Sequence, residues 1–219
     1  MIKERKNILC YGDSNTLGYD TVNDTRFPWG IRWTSVVQEV LGDEYYIIEE
    51  GMGNRTTVWE DPIENVQSGK DYLISCIESH WPLDIIIFML GTNDLKTRFH
   101  LEAYDIAAGE ENLALMACEH LRKRQKTQPE ILIISPIEIG EFIEENPYGI
   151  YLGNRWAIER SRQFPKYYKE IADKNGFHFM AASSYAVPCR EDSVHMDAEN
   201  HRRLAEAIAD KIKEICLKF

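Results

Sequence analysis

No apolar run in this chain is long enough to cross a bilayer. The longest, Ile85-Ile86-Ile87-Phe88-Met89-Leu90, has six residues and follows the charged Asp84, against the ~20 that a spanning helix needs. The start, Met1-Ile2-Lys3-Glu4-Arg5-Lys6-Asn7, is charged and leads only into Ile8-Leu9-Cys10-Tyr11 before Gly12, too short a stretch for the apolar region of a secretory leader, so a cytoplasmic protein is expected. Cysteine is sparse: Cys10, Cys76, Cys118, Cys189 and Cys216 are odd in number, scattered and without a Cys-x-x-Cys pair, which argues against a disulfide framework or a cysteine-rich zinc site. Reduced, mostly buried thiols are expected. Positive charge is in deficit, 25 Lys and Arg against 36 Asp and Glu for a net of −11, so the phosphate backbone of a nucleic acid or an anionic membrane surface would be repelled and neither is expected as a partner. There is no internal repeat, low-complexity tract or linker, and 44% hydrophobic with 28% charged residues leaves no case for disorder, collagen or a coiled coil. Residues 1–219 are therefore expected to form one domain with a full-sized core.

What is present is an alternation of short apolar runs with segments of helical period, the pattern of βαβ units on a parallel sheet. Strands are expected at residues 7–11, 45–48, 84–90, 131–135 and 177–180. Between them, residues 31–41 place Val36, Val37, Val40 and Leu41 on one helical face ending at Gly42, and Tyr72, Leu73, Cys76 and Ile77 mark a helix that stops before Pro82. A helix is expected over residues 103–126, its end marked by Arg122-Lys123-Arg124, and another over 156–174, kinked or restarted at Pro165. The last begins near Asp197 and carries the stripe Leu204, Ala205, Ile208 and Ile212. Residues 136–155 read as a long irregular stretch, unusually apolar for a loop, which predicts a lid or a subunit contact.

Ligands of parallel α/β sheets bind at the carboxyl ends of the strands, so the residues following each strand carry the functional reading. They are Gly12-Asp13-Ser14-Asn15-Thr16, then Glu50-Gly51-Met52-Gly53-Asn54-Arg55-Thr56-Thr57, then Gly91-Thr92-Asn93-Asp94, and finally Asp192-Ser193-Val194-His195 before the last helix. A serine nucleophile needs a base, the base needs an orienting carboxylate, and the developing oxyanion needs fixed donors. Ser14, His195 and Asp192 supply the first three. The Asn93 amide, the Ser14 N–H and an N–H of the glycine-bearing second segment supply the last.

These four segments resemble the sequence blocks of the SGNH, or GDSL-type, esterase and lipase superfamily. Gly12-Asp13-Ser14 is similar to its nucleophile block, Gly91-Thr92-Asn93-Asp94 to its oxyanion-asparagine block and Asp192-Ser193-Val194-His195 to its Asp-x-x-His block. Arg32-Trp33-Thr34, Ile48-Glu49-Glu50-Gly51 and Arg55-Thr56-Thr57 extend the likeness to the small arylesterase and acyltransferase branch. The resemblance implies a three-layer α/β/α sandwich, flavodoxin-like, around a parallel sheet of about five strands. It implies Ser14, Asp192 and His195 as the catalytic triad, with Ser14, Asn54 and Asn93 as the oxyanion hole. Many relatives have glycine at the second oxyanion position, and aligning Arg55-Thr56-Thr57 puts Asn54 there with Gly53 one residue off. Leu17 stands where arylesterase relatives often carry a tryptophan. That branch is oligomeric, so a homo-oligomer is expected.

The activity so implied is hydrolysis of short-chain aryl, alkyl or acetyl-sugar esters through an acyl-enzyme, possible acyl transfer included. A thioesterase or lysophospholipase with the same triad is the alternative, and a non-catalytic carbohydrate-binding module is the alternative from another class. No cofactor is expected: Gly51-Met52-Gly53 lacks the third glycine of a dinucleotide fingerprint, Thr56 standing there instead, and the six histidines show no closely spaced pair with metal-ligand geometry. His201 falls inside the last helix, where a surface histidine needs no function. Asp13 and Asp94 read as loop anchors, and Trp29 or Trp59 is the tryptophan expected near the site.

Overall fold

The computed structural model describes residues 5–217, so the charged start at residues 1–4, on which the argument against a leader partly rests, lies outside the described residues. In chain order, β1 (Lys6–Gly12) and α1 (Ser14–Leu17) are followed by a two-residue ribbon of β2 (Tyr19–Asp20) and β3 (Thr25–Arg26), then α2 (Trp33–Leu41), β4 (Tyr45–Gly51) and α3 (Gly69–His80). The chain continues through β5 (Ile85–Met89), α4 (Ala103–Leu121), β6 (Glu130–Ser135), α5 (Tyr148–Leu152), α6 (Arg155–Ser161), α7 (Phe164–Asn175), β7 (His178–Ala181) and α8 (Ala198–Cys216). Five strands form one parallel sheet in the order β4-β1-β5-β6-β7.

Both faces of that sheet are buried, and the period of two along each strand divides its side chains between two cores. Leu9 and Tyr11 of β1, Ile86 and Phe88 of β5 and Ile131 and Ile133 of β6 point to the side covered by α3, α4 and α7. Ile8, Cys10, Ile85, Ile87, Leu132 and Ile134 point to the other, where α2 and α8 contribute Trp33, Val37, Leu204, Ile208 and Ile212. The result is a three-layer α/β/α sandwich. Because β1 lies between β4 and β5, the chain winds outward in both directions from it, and the crevice at the carboxyl ends of β1 and β5 is the switch point where such sheets hold ligands.

Several boundaries differ from the sequence reading for identifiable reasons. The helix expected over residues 103–126 stops at Leu121, and Arg122-Lys123-Arg124 form a turn. Pro165 restarts rather than kinks its helix: it sits in the first turn of α7, where its missing N–H costs nothing, and α6 is separate. The stretch at 136–155 is not irregular throughout. Ile139, Ile143 and Leu152 are buried in the core, and the chain between them winds into a short 3₁₀ turn (Ile143–Glu145) and α5. Val40 is exposed, so the apolar face of α2 is narrower than its spacing implies.

Candidate active site

The first loop is shaped by close packing at two glycines. A Cβ on Gly12 would stand 2.1 Å from Thr16 Oγ1, and one on Gly51 would stand 2.1 Å from the backbone nitrogen of Leu17. The absence of side chains at these strand ends lets α1 lie directly on the sheet. Asp13 caps that helix, its Oδ1 accepting from the Asn15 N–H at 2.9 Å, and the half-buried Ser14 is thereby held at the carboxyl end of β1.

The last loop reaches Ser14 from the other end of the chain. Asp192 Oδ1 accepts the N–H groups of Val194 at 2.8 Å and His195 at 2.9 Å, while Oδ2 lies 2.5 Å from His195 Nδ1. His195 Nε2 lies 2.8 Å from Ser14 Oγ. Burial acts to raise the Asp192 carboxyl, but the hydrogen bond and charge of His195 and the two backbone donors outweigh it and bring its pKa down to about 2. The ionised carboxylate only accepts, so a neutral His195 carries its proton on Nδ1 and offers Nε2 as acceptor to the Ser14 hydroxyl. Two tyrosine rings steady the imidazole edge-on, Tyr19 with its centroid at 4.7 Å and Tyr148 at 5.8 Å.

Asn93 follows β5, and its amide nitrogen donates one hydrogen to the Arg55 carbonyl at 3.1 Å, leaving the other for a ligand. Asn54 adopts a left-handed backbone, φ 63°, a conformation that asparagine tolerates better than most residues. Its Oδ1 lies 3.3 Å from Lys96 Nζ. Lys96 is itself buried, paired with Asp61 at 2.9 Å, and Arg98 holds the other Asp61 oxygen at 2.9 Å. Burial works to raise the Asp61 carboxyl, yet these cations keep it below its ordinary value. Ser14, Gly53, Asn54, Asn93 and His195 all line one cavity of about 590 Å³, whose other walls include Tyr19, Thr92, Lys96, Pro147, Tyr148, Tyr151 and Leu152.

Beneath the site lie three buried carboxyls. Asp94 accepts from the Thr57 N–H at 3.0 Å and from the Thr57 hydroxyl at 2.6 Å, yet burial pushes its pKa up to about 7. Burial also raises Asp13, to about 6, and raises Glu110, which accepts from the Leu90 N–H.

Other sequence expectations need correction. His201 is fully buried, not a surface residue; burial lowers its pKa to about 4, and the neutral ring accepts the Trp33 N–H through Nδ1. Trp29 lies exposed beside Arg32, and Trp59 packs against Gly109; neither lines the cavity, whose aromatic walls are tyrosine. The sequence reading missed Tyr19, Tyr148, Lys96 and Asn15, the last of which fixes the histidine loop. Tyr148 and Tyr151 had a signal, since they stand in the apolar stretch marked as a lid. Among the described residues, Glu50, Cys76 and His80 bring metal-binding atoms together outside this cavity.

A cavity bordered by a serine and a histidine that stand in hydrogen-bonded series with an ionised aspartate defines a hydrolase of the nucleophilic serine type. Residues 10–209 match the GDSL-like lipase/acylhydrolase family. A carbohydrate acetylesterase family member from Sinorhizobium meliloti superposes with a TM-score of 0.90 at 33% identity, covering 95% of this chain and 98% of that one. The native aryl esterase of M. smegmatis superposes with a TM-score of 0.89 at 31% identity, covering 95% and 99%. No curated protein matches the chain. The chain belongs to the GDSL-like lipase/acylhydrolase family and is a carboxylic ester hydrolase.

Proposed function

We propose that the protein is a serine esterase that cleaves short-chain aryl, alkyl or acetyl-sugar esters through an acyl-enzyme. The observation that carries this reading is the continuous series from Asp192 Oδ2 through His195 to Ser14 Oγ, at 2.5 and 2.8 Å. Ser14 attacks the ester carbonyl as His195 takes its proton, Asp192 holds the resulting imidazolium, and the tetrahedral oxyanion is met by the Ser14 N–H, the Asn54 N–H and the free amide hydrogen of Asn93. His195 then returns the proton to the leaving alcohol. Water, or a second alcohol in acyl transfer, repeats the sequence on the acyl-enzyme. Gly53 also borders the cavity, but the left-handed turn at Asn54, anchored by Lys96, favours Asn54 as the backbone donor.

Tyr19, Tyr148 and Tyr151 suit an aryl or sugar leaving group, whose flat or ring-shaped faces stack on aromatic walls, better than a long flexible chain. The resemblance supports a homo-oligomer, as do Phe142, Ile150 and Tyr151, apolar yet exposed within residues 136–155; light scattering across a concentration series tests it, and a monomeric mass throughout counts against it. A cytoplasmic setting accords with five free cysteines. No described helix is long and apolar enough to cross a membrane.

Hydrolysis of p-nitrophenyl acetate and its longer acyl homologues by wild type and Ser14→Ala tests the assignment. Turnover that falls with chain length and vanishes with Ser14 is expected. Higher turnover on long chains or thioesters would move the reading to a lysophospholipase or thioesterase, and turnover unchanged in Ser14→Ala would overturn the triad.

A further inference from the structure

Behind the end of β4, away from the cavity, a carboxylate, a thiol and an imidazole converge. We propose that Glu50, Cys76 and His80 form a binding site for a borderline-soft divalent cation, Zn²⁺ in chemical class. Cys76 and His80 are four residues apart on α3 and therefore project from one face of that helix, toward the penultimate residue of β4. One ligand atom from each of the three lies within 4.8 Å of the others, and His80 Nε2 already stands 2.8 Å from Glu50 Oε1. Ligand atoms around a tetrahedral zinc are about 3.3–3.7 Å apart, given bond lengths of about 2.0–2.3 Å, so capture of the ion requires only that the thiol approach and the His80–Glu50 contact open slightly.

The donor set fits that ion. Thiolate, imidazole and carboxylate together suit zinc and its neighbours rather than calcium or magnesium, which take oxygen ligands. Cys76 is buried, whereas Glu50 and His80 are partly exposed, so an ion enters from the surface and a water takes the fourth position. On binding, the metal–sulfur bond replaces the S–H bond of Cys76, whose proton leaves to solvent, and no electron is transferred. Thiolate and Glu50 carboxylate then cancel the two charges of the ion, which matters because the Arg55 guanidinium is close by, donating to the Glu50 carbonyl at 2.5 Å and to the Gly12 carbonyl at 2.9 Å. A structural ion pair between His80 and Glu50 over an inert thiol would bind no metal, and the two readings separate experimentally.

The test uses the full chain, stripped with a chelator and titrated with Co²⁺ as a spectroscopic stand-in. Wild type is expected to develop a thiolate-to-cobalt charge-transfer band that saturates at one equivalent and is bleached by Zn²⁺. Cys76→Ser is expected to lose the band, and His80→Gln to weaken Co²⁺ binding at least about tenfold, as even outer-shell losses around metals do. Ser14→Ala and Cys118→Ser are expected to bind as wild type does. His80 lies at the partly exposed end of α3, so its variant keeps the fold even if Cys76→Ser does not. No band in wild type, or undiminished Co²⁺ affinity in His80→Gln, overturns the proposal.

Discussion

Asn15 grips the backbone on both sides of His195: its side-chain nitrogen donates to the Val194 carbonyl at 3.2 Å, and its side-chain oxygen accepts the Met196 N–H at 3.0 Å. The residue after the nucleophile thus holds the loop that carries the base, and the 2.8 Å contact between Ser14 and His195 is set by a neutral amide in addition to the triad itself. Asn15→Ala is expected to lower kcat on the order of 10²-fold with KM little changed, since a displacement of about 1 Å in a positioned catalytic group costs about that much. Separate measurement of kcat and KM on p-nitrophenyl acetate checks this, and a rise in KM alone would assign Asn15 to substrate binding.

The ionised Asp192 makes a different demand. Asp192→Asn keeps the shape of the loop but presents an amide to His195 Nδ1, which allows the wrong tautomer and leaves the imidazolium unsupported. A loss on the order of 10⁴-fold in kcat is expected, the size that the same exchange causes in serine protease triads, against 10²–10³-fold for Asn93→Ala, which removes one oxyanion donor. Equal losses for the two variants would contradict these roles.

The layers of the fold were legible because short, continuously apolar runs alternate with segments of helical period. Ile8 to Tyr11, Ile85 to Phe88 and Ile131 to Ile134 are apolar at every position, as strands buried on both faces must be, and in the structure each sends alternate side chains into two cores. The four polar segments were legible because each follows a strand, where a parallel sheet places its ligands. Asn15 was not, because its partners lie 179 and 181 positions away and nothing local distinguishes it from a turn residue. Tyr19 carried no signal and Tyr148 only that of an apolar stretch, because their contact with His195 exists only once the ribbon and α5 lie beside the last loop. The Cys76-His80 pair had a local signal, a four-residue spacing within an expected helix, but its third member comes from β4.

Buried Asp94 gives the stability a pH dependence of definite sign. With its pKa raised from 3.8 to about 7, the folded protein holds a proton over that window that the unfolded chain has released. Its contribution is therefore complete below about pH 4 and is lost as pH rises through 7. Asp13 and Glu110 titrate in the same sense and His201 in the opposite one, so the comparison with Asp94→Asn isolates the effect. Melting temperatures of the two proteins between pH 4 and 8 are expected to fall less steeply in the variant; parallel curves would show that Asp94 is ionised throughout.

Asn54 separates a backbone role from a side-chain one. Its left-handed φ of 63° aims the peptide, and its side chain reaches Lys96. Asn54→Gly removes the side chain but accepts that φ freely, whereas Asn54→Ala removes it and adds roughly 1 kcal/mol of backbone strain. If the Asn54 N–H is the oxyanion donor, Asn54→Gly retains most of kcat and Asn54→Ala loses several-fold as the turn relaxes and the N–H swings away. Equal losses in both would mean that the contact with Lys96, rather than the backbone turn, keeps the donor in place, and Lys96→Met would then reproduce the loss with Asn54 intact. A Cβ on Gly53 meets nothing within 4 Å and leaves its N–H in place, so Gly53→Ala is expected to leave kcat unchanged, a control that separates added bulk at this turn from the strain of Asn54→Ala.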